Sequence, residues 1–387
     1  ALDIHQILML KNKIYKYLSN EILKSFITIL FTFTAIAWVA RAVNFLDFMV
    51  ADGFSASVYF KYSVLNITTI MTRFIPLAFL LSLIFSVVKF EKQQELLILW
   101  TSGLNKIKIA NIFILIAFFL TIFQLILSLF INPYLLNKSR SLLTNTDEFE
   151  IGTILKSNDF SDNFKGITFY ISKKNTDNEL IDIFIKDTSG SLGSIIGELE
   201  ESKNLTILAK KGFVSNNKLV LFDGMMQSLN KKNEFKNIQF ERTELSLFDL
   251  STRVIKKPKV QETLSSTLLE CVLNKNNNLK INNCTEENYK SVAVENLSRR
   301  LGVPLYIPLI SIIVSFLLIY KKEKRFIFLK KYILFILSFF MLVFAEILLK
   351  YTGYSLSITI SYFILPVVMS AILYIYLIKK ITSEKQL

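Results

Sequence analysis

The chain has 387 residues, 52% of them hydrophobic, and a formal net charge of +14. Soluble domains are about 45–50% apolar, so this composition favours a membrane protein. The positive charge would suit nucleic acid, but much of it lies in short loops beside apolar runs, where membrane proteins place their cytoplasmic lysine and arginine residues. We therefore expect a membrane protein with no nucleic-acid partner.

The first third of the chain predicts three membrane-spanning helices. Residues 1–20 are polar and basic, and apolar runs follow at residues 22–44, 59–88 and 109–131. Each run has the length of about 20 residues that a helix needs to cross the hydrocarbon core of a bilayer. Pro133 is expected to end the third helix.

A short segment at residues 89–108 joins the second and third spans. It is charged at both ends and apolar in the middle, and it predicts a helix with Gly103 and Asn105 as stop signals. Two interpretations are open: a connector that lies on the membrane surface, or a docking helix that fits a groove on a soluble partner. The docking interpretation depends on leading polar residues and on apolar residues at helical spacing, which are Glu91, Gln93, Gln94, Glu95, Leu96, Leu97, Trp100 and Leu104.

The segment from residue 132 to residue 300 has the pattern of a β domain. It is rich in Asn, Lys, Ser and Asp and contains short alternating stretches such as GITFYISKK and ELIDIFIKD. Turn-forming pairs such as Asp223-Gly224 are expected to separate the strands. The pattern predicts an all-β sandwich or an open barrel.

Three further apolar runs complete the chain, at residues 301–320, 332–349 and 358–378. The predicted fold class is an α-helical integral membrane protein with six transmembrane helices, three on each side of an inserted all-β domain. The predicted domains are an N-terminal membrane half at 1–131, a β domain at 132–300 and a C-terminal membrane half at 301–387.

The distribution of basic residues predicts the orientation. The predicted inside segments 1–20, 89–108, 321–331 and 379–387 carry 3, 4, 6 and 3 lysine and arginine residues, whereas the outside loops 45–58 and 351–356 carry none. Both termini are therefore expected in the cytoplasm and the β domain outside, which in a bacterium with two membranes is the periplasm.

Two cysteines, Cys271 and Cys284, lie in the predicted outside segment. An oxidising compartment permits a disulfide between them, and two free thiols are the alternative. Either way we expect a structural role.

Seven cations lie close to the predicted outer ends of spanning helices: Arg41, Lys61, Arg73, Lys138, Arg140, Arg299 and Arg300. They either extend to the lipid head groups as anchors or form a cationic rim that binds a ligand with several phosphates. Arg73 lies deeper, so we expect it to face a cavity, a partner helix or Glu346. Glu346 and Lys350 are also spaced to pair with each other.

Motifs for enzymatic chemistry are missing from the sequence. It contains no GxxxxGK[ST] loop, no HExxH and no CxxC, and its single histidine is His5. We therefore expect no catalytic residue, no metal site and no cofactor bound by this chain.

The order of these parts and several local patterns resemble the LptF/LptG (YjgP/YjgQ) family of lipopolysaccharide export permeases, over nearly the whole chain. The segments that carry the resemblance are NFLDFMVADGF, QELLILWTSGLN, NPYLLNKSR, DNFKGITFYI, ELIDIFIKD and ENLSRRLGVPL. The first of them, at residues 44–54, is more similar to the F-type than to the G-type subunit.

This resemblance implies a heterodimer of F-like and G-like subunits around an outward cavity, with an LptB-like ATPase dimer that uses ATP and Mg²⁺. It also implies that the inserted domain at 132–300 is a periplasmic β-jellyroll-like domain. The further implied partners are a single-span LptC-like protein and a periplasmic LptA-like bridge of β-jellyrolls, which receives lipopolysaccharide taken from the outer leaflet of the inner membrane. The implied ATPase-coupling residues are Glu91, Glu95, Leu97, Trp100 and Gly103, with Glu95 as the principal carboxylate. Arg41, Lys61 and Arg140 become candidates for binding the phosphate-bearing head of lipid A.

Two other functions are compatible with the residues. One is a non-transporting membrane scaffold or signalling protein whose β domain binds a periplasmic partner. The other is an integral lipid-modifying enzyme. The proteins that co-purify with the chain distinguish a scaffold from a transporter. The chemical state of lipid A in a depletion strain tests for a lipid-modifying enzyme.

Overall fold

The computed structural model describes residues 4–50, 56–144, 157–164, 166–175, 179–189, 192, 204–215, 218–229, 235–246, 259–273, 287–319 and 324–384. Within them the chain forms six long apolar helical segments, several shorter helices and one antiparallel sheet, which confirms a helical membrane protein with an inserted β domain. The helices are α1 (Ile4–Val50), α2 (Ala56–Leu65), α3 (Ile67–Lys92), α4 (Glu95–Thr101), α5 (Lys106–Ile126), α6 (Asn132–Thr144), α7 (Ser265–Leu273), α8 (Glu287–Gly302), α9 (Tyr306–Ser315), α10 (Lys324–Tyr351) and α11 (Leu356–Glu384).

Six described helical segments are long and apolar enough to cross a membrane, as predicted. They are Lys13–Leu46, Ala56–Lys92, Lys106–Leu142, Tyr289–Leu318, Lys330–Tyr351 and Leu356–Ser383. The fourth begins earlier than residue 301, because α8 is continuous with the short 3-10 turn Val303–Leu305 that leads into α9. Arg299 and Arg300 therefore lie in the last turn of α8 instead of opening the span.

The third span does not end at Pro133, contrary to the sequence prediction. After α5 the helix widens into a π turn at Leu127–Ile131 and continues as α6. Pro133 is the second residue of α6, and the missing N–H of a proline is tolerated near the start of a helical segment. Because a π turn contains an additional residue, it changes which side chains share a face of the helix.

The sheet has six antiparallel strands whose neighbours follow one another in chain order. The strands are β1 (Phe160–Phe164), β2 (Ile167–Lys174), β3 (Glu179–Asp187), β4 (Asn204–Ser215), β5 (Lys218–Leu229) and β6 (Phe235–Ser246). This order is a meander, in which each strand pairs with its sequence neighbours. One face carries the buried core of the sheet, including Phe169, Ile185 and Ile207.

Along one row of residues that crosses the strands, the regular alternation of side chains between the two faces of the sheet is interrupted. Strands normally point successive side chains to opposite faces, so one outward-facing residue stands between two buried residues. In β3 two consecutive residues, the half-buried Ile181 and the exposed Asp182, stand between buried residues instead. Asp182 and Asp223, two strands apart, have left-handed φ values of 52° and 48°. Asp and Asn adopt this conformation more readily than other residues with a side chain. At Asp182 the left-handed conformation interrupts the alternation of faces, while the pairing register between β3 and β4 stays the same on both sides.

Asp223-Gly224 does not form the predicted turn, because both residues lie inside β5. A Cβ on Gly224 would overlap the carbonyl oxygen of Leu208 and the ring of Phe240. The glycine therefore permits close approach of neighbouring strands at the row where the alternation shifts.

By packing, the chain divides into two units. The membrane unit comprises Ala1–Val39, Asn66–Asn137 and Pro258–Leu387, and the β unit comprises Ala40–Leu65 and Lys138–Lys257. The core of the membrane unit joins side chains of α1, α3, α5 and α9, including Ile22, Phe79, Phe113 and Ile310. In the β unit, Val58 of α2 belongs to the same apolar core as the sheet.

Candidate functional site

The segment between α3 and α5 folds as a short helix, α4, with two different faces. Gln94 precedes it with a left-handed φ of 59°, which separates α4 from α3. Leu96 and Leu99 are buried in the core of the membrane unit. Leu97 and Ile98 are instead 51% and 62% exposed. The helix thus presents adjacent apolar side chains on its open face, which suits a connector on the membrane surface as well as a docking helix, so the docking assignment stays a prediction.

The predicted boundaries of this helix are partly wrong. Glu91 lies in the last turn of α3, and only Glu95 occupies the first turn of α4. Gly103 has a φ of 78°, which allows the chain to leave α4. Asn105 starts a helix instead of stopping one, because its Oδ1 accepts a hydrogen bond from the N–H of Ile107 (3.1 Å) at the beginning of α5.

Both acidic residues of this segment have contacts within the membrane unit. The Nζ of Lys331 lies 2.6 Å from Oε2 of Glu91, and the Tyr17 hydroxyl donates to Oε1 of Glu95 (3.1 Å). These contacts connect Glu91, at the end of α3, to α10, and Glu95, at the start of α4, to α1. The remaining predicted residue, Trp100, is half-buried.

Two adjoining cavities lie far along the helices from α4. Both are lined by Arg73 of α3 and Glu346 of α10, and Arg73 lies about 28 Å of helix rise from Lys92 at the end of α3. The smaller cavity has a volume of about 100 Å³ and the larger about 520 Å³. The larger is mostly apolar, with Pro76, Leu77, Val303, Tyr306, Phe339, Leu342, Val343, Ala345 and Ile347 in its walls.

Arg299 lies between two carboxylates beside the smaller cavity. Its Nη1 is 3.1 Å from Oε2 of Glu346, and its Nη2 is 3.4 Å from Oε1 of Glu295. Glu346 therefore pairs with α8, whereas Lys350, its expected partner by spacing, lines the larger cavity. Because Arg73 and Glu346 line the same cavities, the sequence expectation for Arg73 agrees with its position.

Arg300 is only 7% exposed, and its side chain binds protein oxygen atoms. Nη2 donates to the carbonyl groups of Gln261 and Thr263 (both 3.0 Å), and Nη1 donates to Oγ of Ser265 (2.7 Å). The Ser265 hydroxyl in turn donates to the carbonyl of Leu129 in the π turn (2.7 Å). This geometry favours a structural role for Arg300 over the predicted lipid contact.

A buried polar network joins α3 to the helix that contains the π turn. The Nε2 of Gln124 donates to the carbonyl oxygen of Thr72 (3.0 Å), and the Nδ2 of Asn132 donates to Oγ1 of Thr72 (2.9 Å). Gln124 and Asn132 both line the smaller cavity. The sequence analysis did not identify this network, although two carboxamides within an apolar run are the kind of signal that marks a buried polar site.

The other four predicted cations belong to the β unit. Lys61 and Lys138 are exposed, and Arg41 and Arg140 are half-buried. Their assignment to a lipid stays a prediction, as does that of Arg73 and Arg299.

Cys271 is buried on α7 and is disulfide-bonded. Cys284 lies outside the described residues. Within the part of the chain that the structure describes, no group of three or more His, Cys, Asp and Glu side chains is placed to hold a metal ion.

A family model for the lipopolysaccharide export system permease LptF/LptG matches residues 16–380. The chain belongs to the LptF/LptG family. A second comparison finds the uncharacterized protein RP871 of Rickettsia prowazekii (strain Madrid E), 26% identical over 176 residues. That match covers 44% of this chain and 48% of the relative, so the chain spans about half the length of the curated relative it matches. Membership of the LptF/LptG family and the six apolar segments together identify a multi-pass membrane protein.

Proposed function

We propose that this LptF/LptG chain is the permease subunit of an ABC-type exporter, which takes lipopolysaccharide from the outer leaflet of the inner membrane and passes it to a periplasmic bridge of β-jellyrolls. The observation that carries this proposal is the family match over residues 16–380. On this proposal the chain itself is not an enzyme, the termini are cytoplasmic and the β unit is periplasmic.

The paired cavities of the membrane unit support a lipid substrate. An amphiphile with several acyl chains needs apolar walls for its tails and cations for its phosphates. The 520 Å³ cavity supplies apolar walls, and Arg73 lies where it meets the smaller cavity, whose lining residues are mostly of polar type.

Helix α4 supports a separate source of energy. The chain has no phosphate-binding loop, so force from ATP hydrolysis has to reach it through a docked partner. The exposed Leu97 and Ile98 suit the groove of an LptB-like ATPase dimer. The remaining proposed partners are an LptG-like second permease, a single-span LptC-like protein and an LptA-like bridge.

Docking through α4 is tested by Leu97→Asp together with Ile98→Asp. Two charges on the exposed apolar face are expected to reduce co-purification of the ATPase at least about tenfold, since about 1.4 kcal/mol of lost contact suffices. Quantitative mass spectrometry of the complex purified in mild detergent measures the loss. Ser383→Asp, an exposed charge near the end of α11 and outside residues 89–108, is the control and should leave the ATPase bound.

Normal ATPase recovery with the double variant would reject α4 as the docking surface. Purification of the unaltered chain gives the wider test, because finding a second six-span chain, an ATPase and lipid A together supports the exporter. Recovery of a cell-wall enzyme in their place would favour the scaffold.

Arg41→Glu tests the proposed cationic rim. Reversal of a charge beside the lipid phosphates is expected to reduce photo-crosslinking of lipopolysaccharide to a benzoylphenylalanine placed at Val43 on the same helix by about fivefold or more, because a charge-assisted hydrogen bond is worth about 1.5–3 kcal/mol. Lys24→Glu, a reversal far along α1, is the control. Undiminished crosslinking in the Arg41 variant would leave this residue as an interfacial anchor only.

A further inference from the structure

Three buried acceptor atoms beside the smaller cavity have no hydrogen-bond partner among the described residues. They are Oε1 of Gln124, Oδ1 of Asn132 and Oγ1 of Thr69. Gln124 is 3% exposed and Asn132 is 8% exposed, and all three residues line the cavity. Because a buried polar atom without a partner costs about 1–3 kcal/mol, acceptors grouped in this way indicate a bound group that donates hydrogen bonds.

The network around Thr72 fixes the orientation of both carboxamides. The Thr72 hydroxyl donates to the carbonyl of Thr69 (3.0 Å), so it can only accept from Asn132. The carbonyl of Thr72 likewise requires the N–H₂ group of Gln124 as its donor. Rotation of the Gln124 amide by 180° would set two acceptors against each other, and rotation of the Asn132 amide would do so while the Thr72 hydroxyl donates to Thr69, so the two oxygen atoms are the groups left for a ligand.

The charges around the cavity determine what kind of donor fits. Arg73, Arg299 and Arg300 line it, against the single lining carboxylate of Glu346. A metal cation or an ammonium group would be repelled by this excess of guanidinium groups. The acceptors therefore suit a neutral O–H donor, and Arg73 suits an anion attached to it, because Arg299 is paired with Glu346 and Glu295 and Arg300 donates to protein oxygen atoms.

The apolar cavity identifies the molecule that carries this donor. It shares Arg73, Val303 and Glu346 with the smaller cavity, so a lipid with its acyl chain in the 520 Å³ cavity places its head group at the 100 Å³ cavity. We propose that Gln124, Asn132 and Thr69 form a hydroxyl-binding subsite for the head group of an anionic lipid. The inference rests on the proposed lipid-carrying role and assigns the recognition of sugar or polyol hydroxyl groups to these residues.

Two lipids with the same acyl chains test the subsite. Phosphatidylglycerol and phosphatidic acid both carry a phosphate, but only phosphatidylglycerol adds neutral hydroxyl donors. Phosphatidic acid carries at least as much negative charge near pH 7, so charge alone favours it. Native mass spectrometry of the full purified chain, with both lipids in competition, is expected to show a preference for phosphatidylglycerol of about fivefold or more, as one net hydrogen bond provides.

Gln124→Met is expected to abolish this preference, since it removes the carboxamide and keeps the length of the side chain. Thr69→Val, which replaces the hydroxyl by a methyl group of equal size, should reduce the preference for phosphatidylglycerol. This variant tests the subsite if Gln124→Met does not fold. Asn111→Leu removes a carboxamide elsewhere on α5, where it accepts from Tyr374, and should leave the preference unchanged.

Equal binding of the two lipids to the unaltered chain would overturn the subsite and mean that the cavity holds water only, while lipid binding itself would stand. A preference that persists in both variants would also overturn it. Saturable binding of neither lipid would overturn the subsite, whereas absence of lipopolysaccharide crosslinking at Val43 in the unaltered chain is the separate result that would reject the proposed lipid-carrying role.

Discussion

Arg300→Met is expected to destabilise the protein by about 3 kcal/mol or more, because two carbonyl groups lose a charged donor and each buried acceptor left without a partner costs about 1–3 kcal/mol. The carbonyl groups belong to Gln261 and Thr263, in the segment that precedes α7. Thermal unfolding in detergent measures the change, and roughly 5–10 °C is expected from the scaling of soluble domains.

The adjacent residue supplies the matched control. Arg299→Met removes the same side chain from an ion pair that is about one-third exposed on the arginine side and about half exposed on the Glu346 side. Exposed pairs contribute about 0–1 kcal/mol, so the expected loss is small. Equal losses for the two variants would contradict the structural role assigned to Arg300, whereas Arg300→Lys should retain part of the stability because an ammonium group can still donate to the carbonyl groups.

Gly302→Ala is expected to destabilise the membrane unit by about 1–3 kcal/mol, the usual cost of overfilling a packed core. A Cβ at this position would overlap the ring of Tyr362, which is fully buried. That ring has little freedom to move, since it packs 5.6 Å from the ring of Tyr306, whose hydroxyl donates to the Tyr362 carbonyl (3.2 Å). Thermal unfolding in the same detergent measures the effect.

A double-mutant cycle attributes the Gly302 effect to this one contact. In a Tyr362→Ala background the added methyl group has space, so Gly302→Ala should cost much less there than in the unaltered chain. If the cost is the same in both backgrounds, the clash with Tyr362 is not its cause.

The parts that could be predicted from sequence are those that local patterns determine. Apolar runs of sufficient length gave the number of spans, because the bilayer requires about 20 consecutive apolar residues whatever the neighbouring helices do. The deep position of Arg73 likewise indicated a cavity, since a charge in an apolar helix needs a polar environment.

The parts that could not be predicted depend on contacts between distant segments. Arg299 and Arg300 are adjacent and have the same sequence neighbourhood. Arg300 is the buried one because residues 259–265 pack against α8 and accept its hydrogen bonds. Asp223-Gly224 has the composition of a turn, but the close approach of Leu208 and Phe240 determines its place inside a strand. Tertiary packing outweighs local preference at both positions.

Because of the π turn, the number of residues between Gln124 and Asn132 matters as much for their contacts with Thr72 as the types of residue in this segment. Two turns of α-helix contain about 7.2 residues, whereas Gln124 and Asn132 stand eight apart and both reach Thr72. The additional residue in Leu127–Ile131 absorbs the difference. Loss of one residue there would restore a regular helix and turn Asn132, with all of α6, by about 100° around the axis. In evolution this segment should therefore tolerate exchanges of apolar residues far more readily than insertions or deletions.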